Sequence, residues 1–411
     1  MPEFLSLVTP DEALDLLFKS LKPSVKVESI STEQALGRIS AEDIISPQDL
    51  PEFQRSTVDG YAVNAMDTHG ASETLPAYLK IQDEVPMGDT PDFSLLSQQC
   101  ALIHTGGMLP SGADAVVMLE DTQALESREI EVYKSIARGE NVIEIAEDVS
   151  SGEIVIPRGT RLRPAEIGGL MALGITSLKV AKPPVFGILS TGDEIIHPSQ
   201  KTKTGEVRDI NSYTLAALIK DIGGEAVPYG IIPDSRSEML AAVEKAEQEC
   251  DHIIVTAGSS ASTRDLTAEI FNSLGKPGVL VHGISIKPGK PTIFAVSGDK
   301  VMIGLPGNPV SALVIAIILI TPLIEVYLGL EEQQLKPELL AELTVNLSSQ
   351  TGREDWIPVR LSRTKSGSYQ AEPVFGRSNL IFILSRSDGL LKIPAPATGL
   401  EAGTLVTVRL I

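Results

Sequence analysis

The sequence predicts a multidomain α/β protein. It has a mixed α+β N-terminal region over 1–182, a central α/β domain with a mostly parallel sheet over 183–327, and a small C-terminal β-barrel over 338–411, with a sandwich as the alternative. Three observations predict this. Apolar strands and helices alternate in the middle, short β-prone runs fill the end, and charge changes where pattern changes. Residues 1–182 carry 14 basic and 29 acidic side chains, 183–327 carry 11 and 16, and 328–411 carry 9 and 9. Lys182-Pro183-Pro184 and the stretch 328–337 read as linkers.

The chain opens with a helix. Thr9 stands as N-cap, Pro10 at the first position and Glu12 three residues after the cap. This start lacks a basic segment and a small-residue cleavage site, so it does not read as a secretory signal. Ala77–Ile81 and Ala115–Met118 are short strands among Gly, Pro and Asp turns. In the middle, the strand Val185–Leu189 precedes a helix near Ser212–Ile222. Tyr229–Ile232 precedes a helix from about Ser235 to Glu249. His252–Val255 and Val301–Leu305 are further strands. The apolar run from Val310 to Ile324 contains Ser311, Thr321 and Pro322 and is shorter than the ~20 residues a spanning helix needs. It reads as a core helix. The segments LTVNL, WIPVRL, YQAEPV, LLKIP and LVTVRL make up the final β-domain.

Composition removes several function classes. With 411 residues, 43% hydrophobic and 21% charged, the chain has material for ordinary cores and is not a long disordered protein. A net charge of -20 argues against nucleic acid or an anionic membrane as partner. An anionic ligand must therefore be held by local devices. Cys100 and Cys250 are too few for a disulfide framework or a zinc site and read as buried hydrophobes. That fits a reducing, cytoplasmic setting.

In a parallel sheet all C-terminal strand ends share one edge, and ligands bind there. Four unusual loops follow the four strands: Thr191-Gly192-Asp193-Glu194, Pro233-Asp234, Thr256-Ala257-Gly258-Ser259-Ser260 and Pro306-Gly307-Asn308-Pro309. The pattern thus places Glu194, Asp234, Gly258 and Asn308 on one rim. Asn308 and Pro309 suit a helix start, whose amides bind phosphate-like anions. Gly258 and Ser259 could add backbone and hydroxyl donors. Lys287-Pro288-Gly289-Lys290-Pro291 sets two lysines on a stiff turn. Asp193, Glu194, Asp234 and Asp265 beside an anion site suit a hard cation such as Mg²⁺, or a placed water. Each signal is weak singly. Gly-Asp is ordinary turn chemistry, Asp234 could cap the next helix, and the lysines could be solvated.

Read in order, the loops resemble the molybdopterin molybdenumtransferase (MoeA) family, which includes the C-terminal domain of gephyrin. The resemblance covers nearly the whole chain. It rests on Val58-Asp59-Gly60-Tyr61-Ala62, His104-Thr105-Gly106-Gly107, Ala146-Glu147-Asp148, Ser190-Thr191-Gly192-Asp193-Glu194, Lys287-Pro288-Gly289-Lys290-Pro291 and Leu305-Pro306-Gly307-Asn308-Pro309. It implies a multi-lobed N-terminal region, a molybdopterin-binding middle domain and a homodimer with its site between subunits. The implied reaction inserts molybdate into adenylated molybdopterin, hydrolyses the adenylate and releases AMP, with Mg²⁺ as the usual ion. Tungstate is a possible alternative oxyanion. The implied catalytic set is Asp59, Asp148, Glu194, Asp234, Asp265, Lys287 and Lys290, with Glu194, Asp234 and Asp265 on the metal. The implied ligand-binding set is Thr105, Ser190, Thr191, Gly192, Gly258, Ser259, Pro306, Gly307, Asn308, Arg377 and Ser378.

Two loops depart from the family pattern. The stretch 257–265 has one glycine fewer and is one residue shorter, and the later glycine turn reads Gly376-Arg377-Ser378-Asn379-Leu380. Two other functions compete: molybdopterin adenylyltransferase, which resembles the middle domain alone and is also a conceivable protein partner, and a non-catalytic cofactor scaffold.

Overall fold

A computed structural model describes residues 7–257, 261–330 and 337–411, and for 261–264 the backbone alone. Contacts divide the chain into two compact units, one of residues 1–41, 159–163 and 178–411, the other of 42–158 and 164–177. The stretch 1–182 contributes to both.

The smaller unit holds a six-stranded sheet. Its strands are β1 (Gly60–Val63), β2 (Ala77–Val85), β3 (Gln99–Ile103), β4 (Ala115–Met118), β5 (Thr122–Ala124) and β6 (Glu129–Val132), in the order β4-β1-β3-β2-β6-β5. All pairings are antiparallel except β2 with β3. Every residue of β1 is buried. Gly60 is required there, since a Cβ would lie 2.0 Å from the Val117 carbonyl oxygen.

In the larger unit, α1 (Pro10–Ser20) starts as its sequence dictates. Thr9 Oγ1 accepts from the Glu12 amide at 3.2 Å, and a Glu12 carboxylate oxygen accepts from the Thr9 amide at 2.8 Å. These bonds satisfy two donors that a helix start leaves open.

The central domain runs β7 (Val185–Thr191), α2 (Asn211–Ile222), β8 (Glu225–Ile232), α3 (Arg236–Glu249), β9 (His252–Ala257), α4 (Ala261–Leu274), β10 (Pro277–His282), β11 (Ile286–Lys287), β12 (Ile293–Ser297), β13 (Lys300–Pro306) and α5 (Pro309–Ile315). The sheet order is β8-β7-β9-β13-β12-β10. The first four strands are parallel, and β12 and β10 extend the sheet antiparallel. Phe186, Ile188, Ile254 and Ile303 pack on one face with Leu215 and Ile219 of α2. Leu189, Ile253, Val255 and Met302 pack on the other with Met239 and Val243 of α3 and Phe271 of α4. Neighbouring residues of one strand thus serve opposite cores, which is why these strands read as unbroken apolar runs. Helix α5 continues through a π-helical stretch, Ala316–Ile320, to Tyr327. By length and composition it could cross a membrane. Its composition is explained instead by the core, which buries Val310, Ala312, Val314 and the run Ile315–Ile320.

The last domain closes on itself. Strands β14 (Glu338–Leu343), β15 (Glu354–Arg363), β16 (Tyr369–Pro373), β17 (Gly389–Ile393) and β18 (Leu405–Leu410) form the ring β15-β16-β14-β18-β17-β15. A five-stranded barrel is therefore present, and the sandwich alternative is not. Closure leaves no free edge among these strands. Strand β11 of the central domain pairs parallel with the start of β15, with Lys287 opposite Asp355.

Candidate functional site

The chain steps from β7 outward to β8, then back across β7 to β9. The topological switch therefore lies between β7 and β9, at the strand ends where sheets of this kind bind ligands. Ser190 and Thr256 are register partners there. The Ser190 hydroxyl lies 3.0 Å from an Asp209 carboxylate oxygen, 2.8 Å from the Ser212 hydroxyl and 3.2 Å from the Thr256 hydroxyl. The Thr191 hydroxyl donates to the Thr256 carbonyl at 3.3 Å. All five side chains are buried. A buried polar network whose members satisfy one another is rigid. It fixes the loop ends, so Ser190 and Thr191 lie beneath the rim and not on its open surface. Asn211 opens α2, and its Nδ2 donates to the Gly307 carbonyl at 2.9 Å. Its Oδ1 is buried with no partner.

The loop 306–309 is held from the barrel side as well. Asn308 occupies the N-cap position of α5, but its side chain does not cap the helix. Its Nδ2 donates to the Ser378 hydroxyl at 3.1 Å, and the Val310 amide donates to the Ser378 carbonyl at 3.0 Å. Two expected ligand-binding residues from opposite domains thus meet, and one helix-start donor is already taken. Pro306 is buried at the end of β13, with Gly307 partly exposed.

Acidic groups gather at the ends of β7 and β8. The Asp234 amide donates to Asp193 Oδ1 at 3.2 Å. Burial, followed by the charges of Asp193 and Glu194, pushes the Asp234 carboxyl above its ordinary value. Asp234 does not cap α3, whose N-cap is Ser235. Gly192 has φ +145°, and a Cβ there would sit 2.8 Å from the Glu194 carboxylate. Asp265 is exposed on α4. Among the described residues no group of three or more His, Cys, Asp or Glu is arranged to hold a metal. Gly258 and Ser259 lie outside the described residues.

Between the central domain and the barrel lies a cavity of about 1060 Å³. Lys287, Lys290, Arg353 and Arg377 line it, with Asp355 as the one carboxylate among its described lining residues. Gly289 shapes the lysine turn. Its φ is +113°, and a Cβ would approach Ile315 Cγ1 to 2.3 Å. The Thr292 hydroxyl ties the turn by donating to the Gly289 carbonyl at 2.7 Å. Four cations about one cavity concentrate positive charge in a chain of net charge -20.

Asp59, Thr105 and Asp148 belong to the smaller unit. Asp59 accepts from the Thr105 amide at 2.9 Å and the Thr105 hydroxyl at 3.3 Å. The amide chiefly holds its carboxyl below the ordinary value, with the hydroxyl and His104 adding to it against slight burial. Asp148 is exposed, and its amide donates to the Leu50 carbonyl at 3.0 Å.

Comparison with known proteins adds the family. Three family models match in succession: "MoeA N-terminal region (domain I and II)" over 8–174, "Probable molybdopterin binding domain" over 187–326 and "MoeA C-terminal region (domain IV)" over 341–411. The molybdopterin molybdenumtransferase of Haemophilus influenzae is 32% identical over 410 residues, covering 98% of this chain and 98% of its own.

The chain belongs to the MoeA family.

The Bacillus subtilis molybdopterin molybdenumtransferase is 31% identical over 390 residues, covering 94% of this chain and 90% of its own. The MoeA structure from Pyrococcus horikosii superposes with a TM-score of 0.85 at 37% identity, covering 98% of this chain and 99% of that one. Within this MoeA chain, Asp209 and Asn211 contact the candidate loops, and Arg353 and Asp355 line the cavity, although none is among the residues that the sequence nominates. The polar run Arg208-Asp209-Ile210-Asn211-Ser212 before an apolar helix was the available clue for two of them. Arg353 and Asp355 stand at the edge of a β-prone run, where alternating charge reads as ordinary solvated strand.

Proposed function

We propose that this chain is a molybdopterin molybdenumtransferase, transferring molybdenum from molybdate onto adenylated molybdopterin with hydrolysis of the adenylate and release of AMP. The cavity with four cations and one carboxylate carries the reading. Substrate and oxyanion are both anionic, and a net acidic protein can hold them only where cations are concentrated. Lys287, Lys290, Arg353 and Arg377 hold phosphate and molybdate oxygens. Asn308 and Ser378 fix the loops that bring these cations together. The flanking regions matched on both sides of the middle domain favour this activity over adenylyl transfer.

The raised Asp234 carboxyl beside Asp193 and Glu194 fits a cation, because positive charge there relieves the repulsion that burial sharpens. Glu194 and Asp234 would hold Mg²⁺ as a pair, with ligand phosphates and water completing its shell, since no third carboxylate is in place among the described residues. Bound Mg²⁺ supplies charge to phosphate oxygens and keeps several waters of its own. Asp59, Thr105 and Asp148 enter the same reaction across a homodimer.

The test is an assay with purified adenylated molybdopterin, molybdate and Mg²⁺. Molybdate-dependent AMP release supports the reading. ATP consumption would indicate adenylyl transfer, and tight binding without turnover a scaffold. Tungstate in place of molybdate ranks the oxyanions. Restored activity on mixing Asp59→Ala with Asp234→Ala chains supports a site shared between subunits.

A further inference from the structure

Asp355 is the feature of the cation-lined cavity that anion binding does not explain by itself. It is 2% exposed. A buried carboxylate next to an anion site repels the ligand, so its presence needs another reason. Its contacts supply one. Arg353 Nε donates to Asp355 Oδ1 at 2.8 Å, and Arg353 Nη2 approaches Oδ2 at 3.4 Å. Lys287 Nζ lies 3.9 Å from the same Oδ2. Backbone pairing fixes this geometry, since Lys287 and Asp355 are register partners of β11 and β15.

A guanidinium has two hydrogen-bonding edges. Asp355 occupies the Nε edge of Arg353, and among the described residues nothing bonds the other edge. Arg353 remains 32% exposed at its side chain, whereas Asp355 is 3% exposed. The arginine can therefore touch a ligand and the carboxylate cannot. Lys287, paired only loosely at 3.9 Å, stays available.

We infer that Asp355 is a positioning residue, which orients the free guanidinium edge of Arg353 toward a tetrahedral oxyanion in the cavity and so sets its affinity. The inference rests on the oxyanion reading of this cavity.

Trp356, the one tryptophan of the chain, lines the same cavity and provides a fluorescence signal for binding. The experiment titrates the full-length protein with molybdate alone, at fixed ionic strength, and records the thermal midpoint of each variant. Asp355→Asn is expected to raise the molybdate Kd about 10-fold, as loss of an orienting partner does at other ion sites. Arg353→Gln is expected to raise it at least as much. Adding Asp355→Asn to Arg353→Gln is expected to change nothing further, because the carboxylate acts through the arginine. A merely structural role would lower the midpoint and leave Kd unmoved. Unchanged affinity in Asp355→Asn, or equal weakening in both backgrounds, overturns the inference and leaves the oxyanion reading intact. Absence of molybdate binding by the unaltered protein overturns both. Should Asp355→Asn fail to fold, Arg353→Lys decides. It keeps the charge but loses the fork, and wild-type affinity in that variant overturns the inference.

Discussion

Two aspartates at opposite ends of the central sheet shift in opposite directions. Asp251 precedes β9 at the N-terminal edge. Burial works against its charge, but Lys26 and the Val185 amide overcome it, and its carboxyl falls below the ordinary range. Asp234 follows β8 at the C-terminal edge, and burial with Asp193 and Glu194 raises it. The N-terminal edge pairs the Asp251 charge within the protein, while His252 Nε2 is buried without a partner. His252 Nδ1 accepts from the Val301 amide at 3.2 Å, and its ring packs on Phe186 and Tyr327 with centroids 4.8 and 4.3 Å away. Among the described residues, no cation pairs with Asp193, Glu194 or Asp234 at the C-terminal edge. One end of the sheet pairs its charge within the fold, and the other holds like charges together, a repulsion that a proton or a bound cation would relieve.

Substitutions at the two ends should separate activity from stability. The largest effect is expected for Asp234→Ala and Asp265→Ala. Each should lower molybdate-dependent AMP release by ~100-fold or more with little change in thermal midpoint. Wild-type rates in either would remove that residue from the site. Gly289→Ala inverts the pattern within the cation cavity. A Cβ that meets Ile315 at a positive φ should cost about 2–3 kcal/mol in denaturant unfolding. Asp251→Ala should cost about 2 kcal/mol through loss of its charged hydrogen bonds, while AMP release per folded molecule stays unchanged.

The N-terminal edge should also carry an acid signature. Burial pushes His252 down to about 3 from the ordinary 6.5. The unfolded chain therefore takes up this proton first, and stability is full above pH 6.5 and falls as pH drops from 6.5 toward 3. The slope for one such proton is about 1.4 kcal/mol per pH unit. His252→Asn, which can still accept from Val301, should flatten that slope in urea titrations. An unchanged slope would place the acid sensitivity elsewhere. Thr9→Ala, far from both ends, should cost only ~1 kcal/mol by removing half of the capping box.

Much of this is legible in the sequence. The capping box at Thr9, the four parallel strands and the core helix after Pro309 all follow from local spacing. Thr191 reads as loop in the sequence but closes β7, and the strands each run a residue or more longer than their apolar stretches. The carboxylate rim was read from strand order alone. The barrel is legible in its short β-prone runs, but the pair of strands that closes it is not, because β15 and β17 pair across a separation that leaves no periodic trace. Nor is the burial of Ser190 and Thr191, since a hydroxyl on a rim and one beneath it look alike in sequence.

Residue order by itself determined the elements and the edge to which each loop belongs, because helix caps and strand alternation act between near neighbours. Only the tertiary structure decided that Lys287 faces Asp355, that Ser378 meets Asn308 and that Asp234 lies among other acids. Those contacts join residues tens of positions apart, and their energies depend on burial and distance that arise only when the sheet and the barrel are packed together.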